Sequence, residues 1–151
     1  MIHIKDQIEA DIKQAMLAGD KPKVTTLRGL KSAILYVEVA KGARQQGLTD
    51  AEIIDVLSKE SKKRQESADM YTQGGSPDRA LAEIAEKSVI ETYLPKQLSN
   101  AELEELIVTV IDELGSSKQN AMGQVITEVK KRSSGQADGS RIAKIVKEKL
   151  K

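Results

Sequence analysis

The sequence contains no cysteine, tryptophan or phenylalanine, and its only aromatic residues are Tyr36, Tyr71 and Tyr93. Without cysteine the protein cannot form disulfides, cysteine zinc sites or a catalytic thiolate. With so few rings it also lacks a platform on which unpaired nucleic-acid bases could stack. A nucleic acid bound by this chain would therefore be recognised through its shape and its phosphate backbone.

A large excess of one charge and a long apolar run are also absent. The 24 basic and 23 acidic residues leave a formal net charge of +1, so a basic surface has to come from the distribution of charge. No run approaches the roughly 18 apolar residues that span a membrane. The first residues are too charged for a secretory signal. We therefore expect no membrane association and a cytosolic, cytoplasmic location.

The usual constellations of catalytic residues are missing as well. His3, the single histidine, lies near the chain end, and no phosphate-cradling Gly-x-x-x-x-Gly-Lys loop occurs. Ser116-Ser117-Lys118 is predicted to be a loop between helices, since a local run cannot place a nucleophile and its base. The sequence thus predicts no catalytic residue, no metal and no cofactor.

Apolar residues recur at helical spacing along the whole chain, which predicts an all-α protein. Helix one ends near Gly19, and Asp20 with Pro22 begins a second helix that is predicted to run to about Arg44. Thr49 and Glu52 form a capping box that opens the third helix.

The third helix becomes strongly polar after Ser58, so its second half is predicted to form one arm of a charged hairpin. Gly74-Gly75 makes the turn, and Ser76 with Pro77 is predicted to cap a fourth helix that carries Leu81, Ile84 and Val89 and runs to Pro95. The expected N-terminal domain therefore contains a long helical hairpin.

Pro95 marks the predicted domain boundary because the residue before a proline avoids helical geometry. Ser99 and Glu102 then form a new capping box. We expect an N-terminal helical domain over residues 1–96 and a small three-helix domain over residues 97–151.

Charge is unevenly distributed in the small domain. Residues 101–114 hold five carboxylates and no cation, whereas residues 130–151 hold eight cations against Asp138 and Glu148. Cations beside a helix that starts after Asp138 suit a phosphate, because the helix N-terminus adds free N–H groups and a positive dipole. The alternative is that cations near a helix C-terminus only complement its dipole. The candidate cations are Lys130, Lys131, Arg132, Arg141 and Lys144.

Four segments resemble a known family: Asp11 to Met16, Leu27-Arg28, Tyr93 to Ser99, and the turn Gly135 to Gly139 followed by an Ile/Val-rich basic helix. Together they resemble the free-standing YqeY-like proteins and the tail domain of GatB, a subunit of tRNA-dependent amidotransferase. Gln136 stands where the family often has Lys or Arg, and it joins the candidate RNA-binding residues as part of that turn.

The resemblance implies a partner and an activity. The matching tail of GatB helps to hold tRNA, so tRNA or a tRNA-bearing complex is the implied partner. The family is associated with carbon-nitrogen ligase activity that uses glutamine as amido donor. This chain has no room for the catalytic part of GatB, so the resemblance assigns such activity to an associated complex.

Two alternatives remain open. One is a protein-interaction adaptor that uses the acidic face around Glu102, Glu104 and Glu105 or the hairpin near Gly74. The other is enzymatic activity of this chain alone. A second basic face on helix two is predicted to be solvated; it contains Lys21, Lys23, Arg28, Lys31, Lys41 and Arg44.

Overall fold

A computed structural model describes residues 2–115 and 119–150. Within these ranges the chain forms seven α-helices, one short 3₁₀ turn at Gln119–Ala121 and no strand, which confirms the all-helical prediction. The helices are α1 Ile4–Leu17, α2 Lys21–Ala40, α3 Asp50–Gln73, α4 Pro77–Glu91, α5 Asn100–Leu114, α6 Met122–Ser133 and α7 Gly139–Lys149. The predicted loop Ser116-Ser117-Lys118 lies outside the described residues.

The helices group into two compact units, which divide between Leu94 and Pro95. Each unit has a separate apolar core, formed by the stripes that recur at helical spacing. In the first unit the fully buried side chains include Ile8, Leu27, Leu30, Ile34, Ile53, Leu57 and Ile90. In the second they include Leu103, Ile107, Val110, Val125, Val129, Ile142 and Val146.

Capping side chains fix several helix starts as predicted. The carboxylate of Asp20 accepts a hydrogen bond from Lys23 N at 3.2 Å, and Pro22 lies in the first turn of α2. Complete capping boxes open α3 at Thr49 and α5 at Ser99. These bonds satisfy N–H groups that have no partner inside the helix, so the local sequence alone sets the boundary.

One predicted boundary and one predicted cap are wrong. Helix α2 ends at Ala40 and does not reach Arg44, because the chain turns at Gly42 and Gly47, which both have positive φ angles. Ser76 makes no side-chain cap to α4. Pro77 still starts that helix, because the fixed φ angle of proline suits the first helical position.

The long hairpin is formed by α3 and α4, which pack along each other. Ala68 and Ala80 are buried, and the Arg64 guanidinium lies 2.8 Å from a Glu86 carboxylate oxygen. Of the apolar residues that α4 carries, Leu81 and Ile84 are exposed, whereas Val89 packs against the core of the first unit. Small residues and ion pairs therefore fill the space between these two polar helices.

Glu38 is the only acidic residue of α2, and it points inward with 1% of its surface exposed. Its two carboxylate oxygens accept hydrogen bonds from the Lys5 ammonium at 3.1 and 3.2 Å. This pairing compensates for the cost of burying a carboxylate. As a consequence, the outward face of α2 carries no acidic side chain.

A second polar contact joins two of the family-like segments. The Tyr93 hydroxyl donates to Asp11 Oδ2 at 2.5 Å, and Gln7 Nε2 donates to the other carboxylate oxygen at 2.9 Å. Burial and the neighbouring carboxylate both raise the pKa of the Tyr93 hydroxyl. The contact therefore holds a neutral phenol at the end of α4 against α1.

Candidate nucleic-acid interface

The turn between α6 and α7 has an unusual backbone. Ser134 and Gly135 have φ angles of 41° and 83°, in the left-handed region that glycine adopts easily and serine adopts at some cost. Asp138 then caps α7 by accepting a hydrogen bond from Arg141 N at 3.0 Å. The chain thus reverses direction and presents the N-terminus of α7 next to the C-terminus of α6.

Residues that precede α5 hold this turn in place. Leu98 N donates to the Gln136 carbonyl at 2.8 Å, and Gln97 Nε2 donates to the Gly135 carbonyl at 3.0 Å. Gln136 is half-buried. Its backbone therefore stabilises the turn, whatever its side chain contacts.

Arg141 also serves this internal network. Its guanidinium Nη2 donates to the Leu98 carbonyl at 2.8 Å and to Asn100 Oδ1 at 3.0 Å. The side chain links α7 to the start of α5, which lies more than 40 residues earlier. Of the predicted RNA-binding cations, Arg141 is thus committed to structure.

Arg132 is neutralised by two carboxylates. Its Nε donates to Glu128 at 2.9 Å, and its Nη2 pairs with Glu113 on α5. These partners raise the pKa of Arg132, and the guanidinium lowers the pKa of Glu113. A phosphate would have to compete with both carboxylates for this side chain.

The other predicted cations remain accessible. Lys130, Lys131 and Lys144 are exposed, and none forms an ion pair within the described part of the chain. The Lys130 side chain reaches the start of α7: a Cβ built on Gly139 would lie 3.1 Å from the Lys130 ammonium nitrogen. The structure therefore brings an ammonium group to the N-terminus of α7.

One cation of this surface was missed in the sequence. Lys147 is exposed and lies three residues after Lys144, so both project from the same face of α7. Helical spacing was the signal that could have found it. The basic surface of the second unit is defined here as Lys130, Lys131, Lys144 and Lys147.

The acidic residues of α5 are partly used inside the unit. Glu104 pairs with Lys149, Glu113 pairs with Arg132, and Glu102 completes the capping box with Ser99. These contacts consume much of the acidic face that the adaptor alternative would use for protein docking. The basic surface keeps its unpaired charges.

Removing the Arg141 side chain is expected to loosen the turn. In Arg141→Ala the two hydrogen bonds to Leu98 and Asn100 are lost, which should lower the free energy of opening α7 by about 1–2 kcal/mol. Amide hydrogen exchange followed by NMR would measure this change. Lys144→Ala is the matched control, and it should change protection by less than about 0.5 kcal/mol. Equal loss of protection in both variants would contradict the structural role of Arg141.

A comparison of the sequence with models of protein families identifies the family to which this chain belongs. The model of the family described as Yqey-like protein matches residues 5–150, which is nearly the whole chain. The chain belongs to the YqeY-like family. This confirms the resemblance seen in the four sequence segments.

Three curated relatives share the name "Altered inheritance of mitochondria protein 41, mitochondrial". The relative from Pyrenophora tritici-repentis is 24% identical over 147 residues, covering 94% of this chain and 78% of its own length. The relative from Clavispora lusitaniae is 28% identical, covering 81% and 71% respectively. The relative from Eremothecium gossypii is 34% identical, but the match covers 58% of this chain and 46% of that protein.

These names contradict the expected cytosolic location, because the relatives are named as mitochondrial proteins. The prediction rested on the charge of the first residues and on the lack of a long apolar run. Mitochondrial transit peptides are amphipathic and rich in Arg and Ser, so a search for apolar runs does not detect them. Among the described residues, no helix combines the length and the apolar character needed to cross a bilayer.

Proposed function

We propose that the second unit binds the phosphate backbone of a folded RNA, with tRNA or a tRNA-bearing complex as the partner. The observation that carries this proposal is the basic surface of Lys130, Lys131, Lys144 and Lys147, whose members form no ion pair within the described residues. Phosphate contacts by such side chains supply most of the affinity of proteins for nucleic acids.

The position of Lys130 favours an anion over a merely solvated face. Its ammonium lies beside Gly139, at the helix end where the dipole of α7 is positive. Two positive groups held close together repel each other, and a phosphate between them would interact favourably with both. The dipole of α6 accounts for cations in its own last turn but does not account for one that reaches α7.

A folded RNA fits the rest of the chain better than a single strand does. The second unit contains no aromatic residue, so it has no ring on which an unpaired base could stack. The family resemblance supplies tRNA as the specific partner. In that reading the chain holds tRNA while another protein of the complex performs glutamine-dependent amidation.

The proposal is tested by titrating labelled bulk tRNA with the full-length protein at several salt concentrations. If three to four phosphates are neutralised, the logarithm of the binding constant should fall with the logarithm of salt with a slope of about −3. Unstructured polyuridine of equal length is the matched competitor and should displace tRNA poorly. Binding that does not depend on salt, or no binding at low salt, would overturn the proposal.

A further inference from the structure

A second surface lies on the outward face of α2, in the first unit. Leu35, Tyr36 and Val39 are 42%, 77% and 58% exposed. Val39 follows Leu35 by four residues and Tyr36 by three, so the three side chains lie on one side of the helix. Three large apolar side chains next to one another leave a contiguous patch in water, which in a folded protein commonly marks an interaction site.

The same face continues toward the N-terminus of α2 with small and basic residues. Gly29 and Ser32 are exposed, and a Cβ built on Gly29 would meet nothing within 4 Å. Arg28 lies beside Gly29, and its Nη2 is 3.8 Å from the sulfur of Met16 on α1. The α2 face, defined as Arg28, Gly29, Ser32, Leu35, Tyr36 and Val39, is about 17 Å long at the rise of an α-helix.

The unpaired charges on this side of α2 are positive. Lys21 and Arg28 are exposed and precede Leu35 by fourteen and seven residues, which places them on the same side of the helix, whereas Lys31 and Lys41 are paired with Glu9 and Glu52. The only acidic side chain of α2, Glu38, is buried against Lys5 on the opposite side. The α2 face thus combines an apolar centre with a basic end and has no acid of its own.

We propose that the α2 face docks an acidic amphipathic helix of a partner protein. A partner helix with apolar residues at i, i+3, i+4 and i+7 would cover Leu35, Tyr36 and Val39 over about two turns. Carboxylates beside that apolar stripe would meet Arg28 and Lys21. Gly29 leaves room for a large side chain of the partner.

Other occupants fit this face less well. An RNA backbone would meet the cations but would leave Leu35 and Val39 without an apolar partner. A second copy that presented the same α2 face would bring no carboxylate to Arg28 or Lys21, because none of the residues of this face is acidic. This proposal concerns the first unit and does not depend on RNA binding by the second.

The test uses the full-length protein and two synthetic helical peptides, each stapled to hold the helix. Both carry leucine at i, i+3, i+4 and i+7; one has glutamate at the flanking positions and the other has lysine. In ¹H–¹⁵N NMR spectra the acidic peptide should shift the amides of α2 saturably and bind at least about tenfold more tightly than the basic one. No saturable shift, equal binding of the two peptides, or shifts outside α2 would overturn the proposal.

A pair of variants separates docking from folding. Tyr36→Glu should abolish binding of the acidic peptide, since it places a carboxylate in the apolar centre, and its melting temperature should stay unchanged because Tyr36 is exposed. Glu66→Lys, at an exposed position of α3, is the control and should bind as the parent does. Displacement of the peptide by tRNA, or a dimer that forms through the α2 face in sedimentation, would identify the other occupants and refute this one.

Discussion

Replacing Lys130, Lys131 and Lys144 by glutamate is expected to weaken tRNA binding about a hundredfold or more. Each of these ammonium groups is exposed and without a carboxylate partner among the described residues, so each is available to a phosphate. A hydrogen bond to a charged group contributes about 1.5 kcal/mol or more, and three of them correspond to about three orders of magnitude. The change should be measured as the shift in tRNA affinity at low salt.

A matched variant controls for the overall charge. In the control, Lys13, Lys21 and Lys23, which are exposed on α1 and α2, are replaced by glutamate. Each replacement lowers the charge by two, so the formal net charge falls from +1 to −5, as it does in the three-lysine variant. If the added negative charge only repelled RNA in general, both variants would lose the same amount of RNA affinity. A specific site in the second unit predicts that this control changes affinity by less than about threefold.

Arg132 is left out of this variant for a structural reason. It pairs with Glu113 and Glu128, and reversing its charge would place three carboxylates together. If such a variant lost RNA binding, the loss could come from a distorted second unit and not from a lost phosphate contact. If the three-lysine variant keeps its circular dichroism spectrum and still binds tRNA as the parent does, the proposed site is refuted.

The features that were predictable from sequence are those set by neighbours within one helical turn. A capping box needs only residues three apart, so Thr49 with Glu52 and Ser99 with Glu102 are identifiable from the amino-acid order alone. Apolar stripes are equally local, and they predicted the helical fold, in which Leu27 and Ile107 are buried in the two cores. Local rules failed where glycine turns ended α2 early.

The roles of individual cations were not predictable in this way. Arg132 and Arg141 looked equivalent to Lys130 in the sequence, yet their partners Glu113 and Leu98 lie 19 and 43 residues away. Helical spacing identifies which cations are near one another, but only packing decides which of them meet a carboxylate or a carbonyl. The same holds for Glu38, because its spacing on α2 does not show that it is buried against Lys5 on α1.

The contact between Tyr93 and Asp11 spans 82 residues and is also invisible to sequence spacing. Both residues lie in segments that resemble the family, one at the start of the chain and one at the domain boundary. A hydroxyl bound to a carboxylate at 2.5 Å forms a strong, charge-assisted hydrogen bond. It joins the end of α4 to α1, so it closes the first unit at the point where the chain leaves it.

Removing this hydroxyl in Tyr93→Phe is therefore expected to lower the free energy of unfolding by about 2 kcal/mol. The ring still packs in the core, but Asp11 keeps only its bond from Gln7. Urea denaturation followed by circular dichroism would measure the change. Tyr36→Phe removes the same atom from an exposed ring that has no hydrogen bond within the described residues, and it should cost less than about 0.5 kcal/mol.

Tyr93→Phe should also change how the free energy of unfolding depends on pH in the alkaline range. Because the pKa of Tyr93 is raised in the folded protein, its contribution is fully present below the unfolded value of about 10 and is lost as the pH rises above it. The difference in stability between the parent and Tyr93→Phe should therefore be constant from neutral pH to about pH 9.5 and should shrink above about pH 10. The Tyr36→Phe difference should show no such change. A Tyr93 difference that stays constant through this range would mean that the phenol ionises equally easily in both states, and would remove the carboxylate contact as the source of its stabilisation.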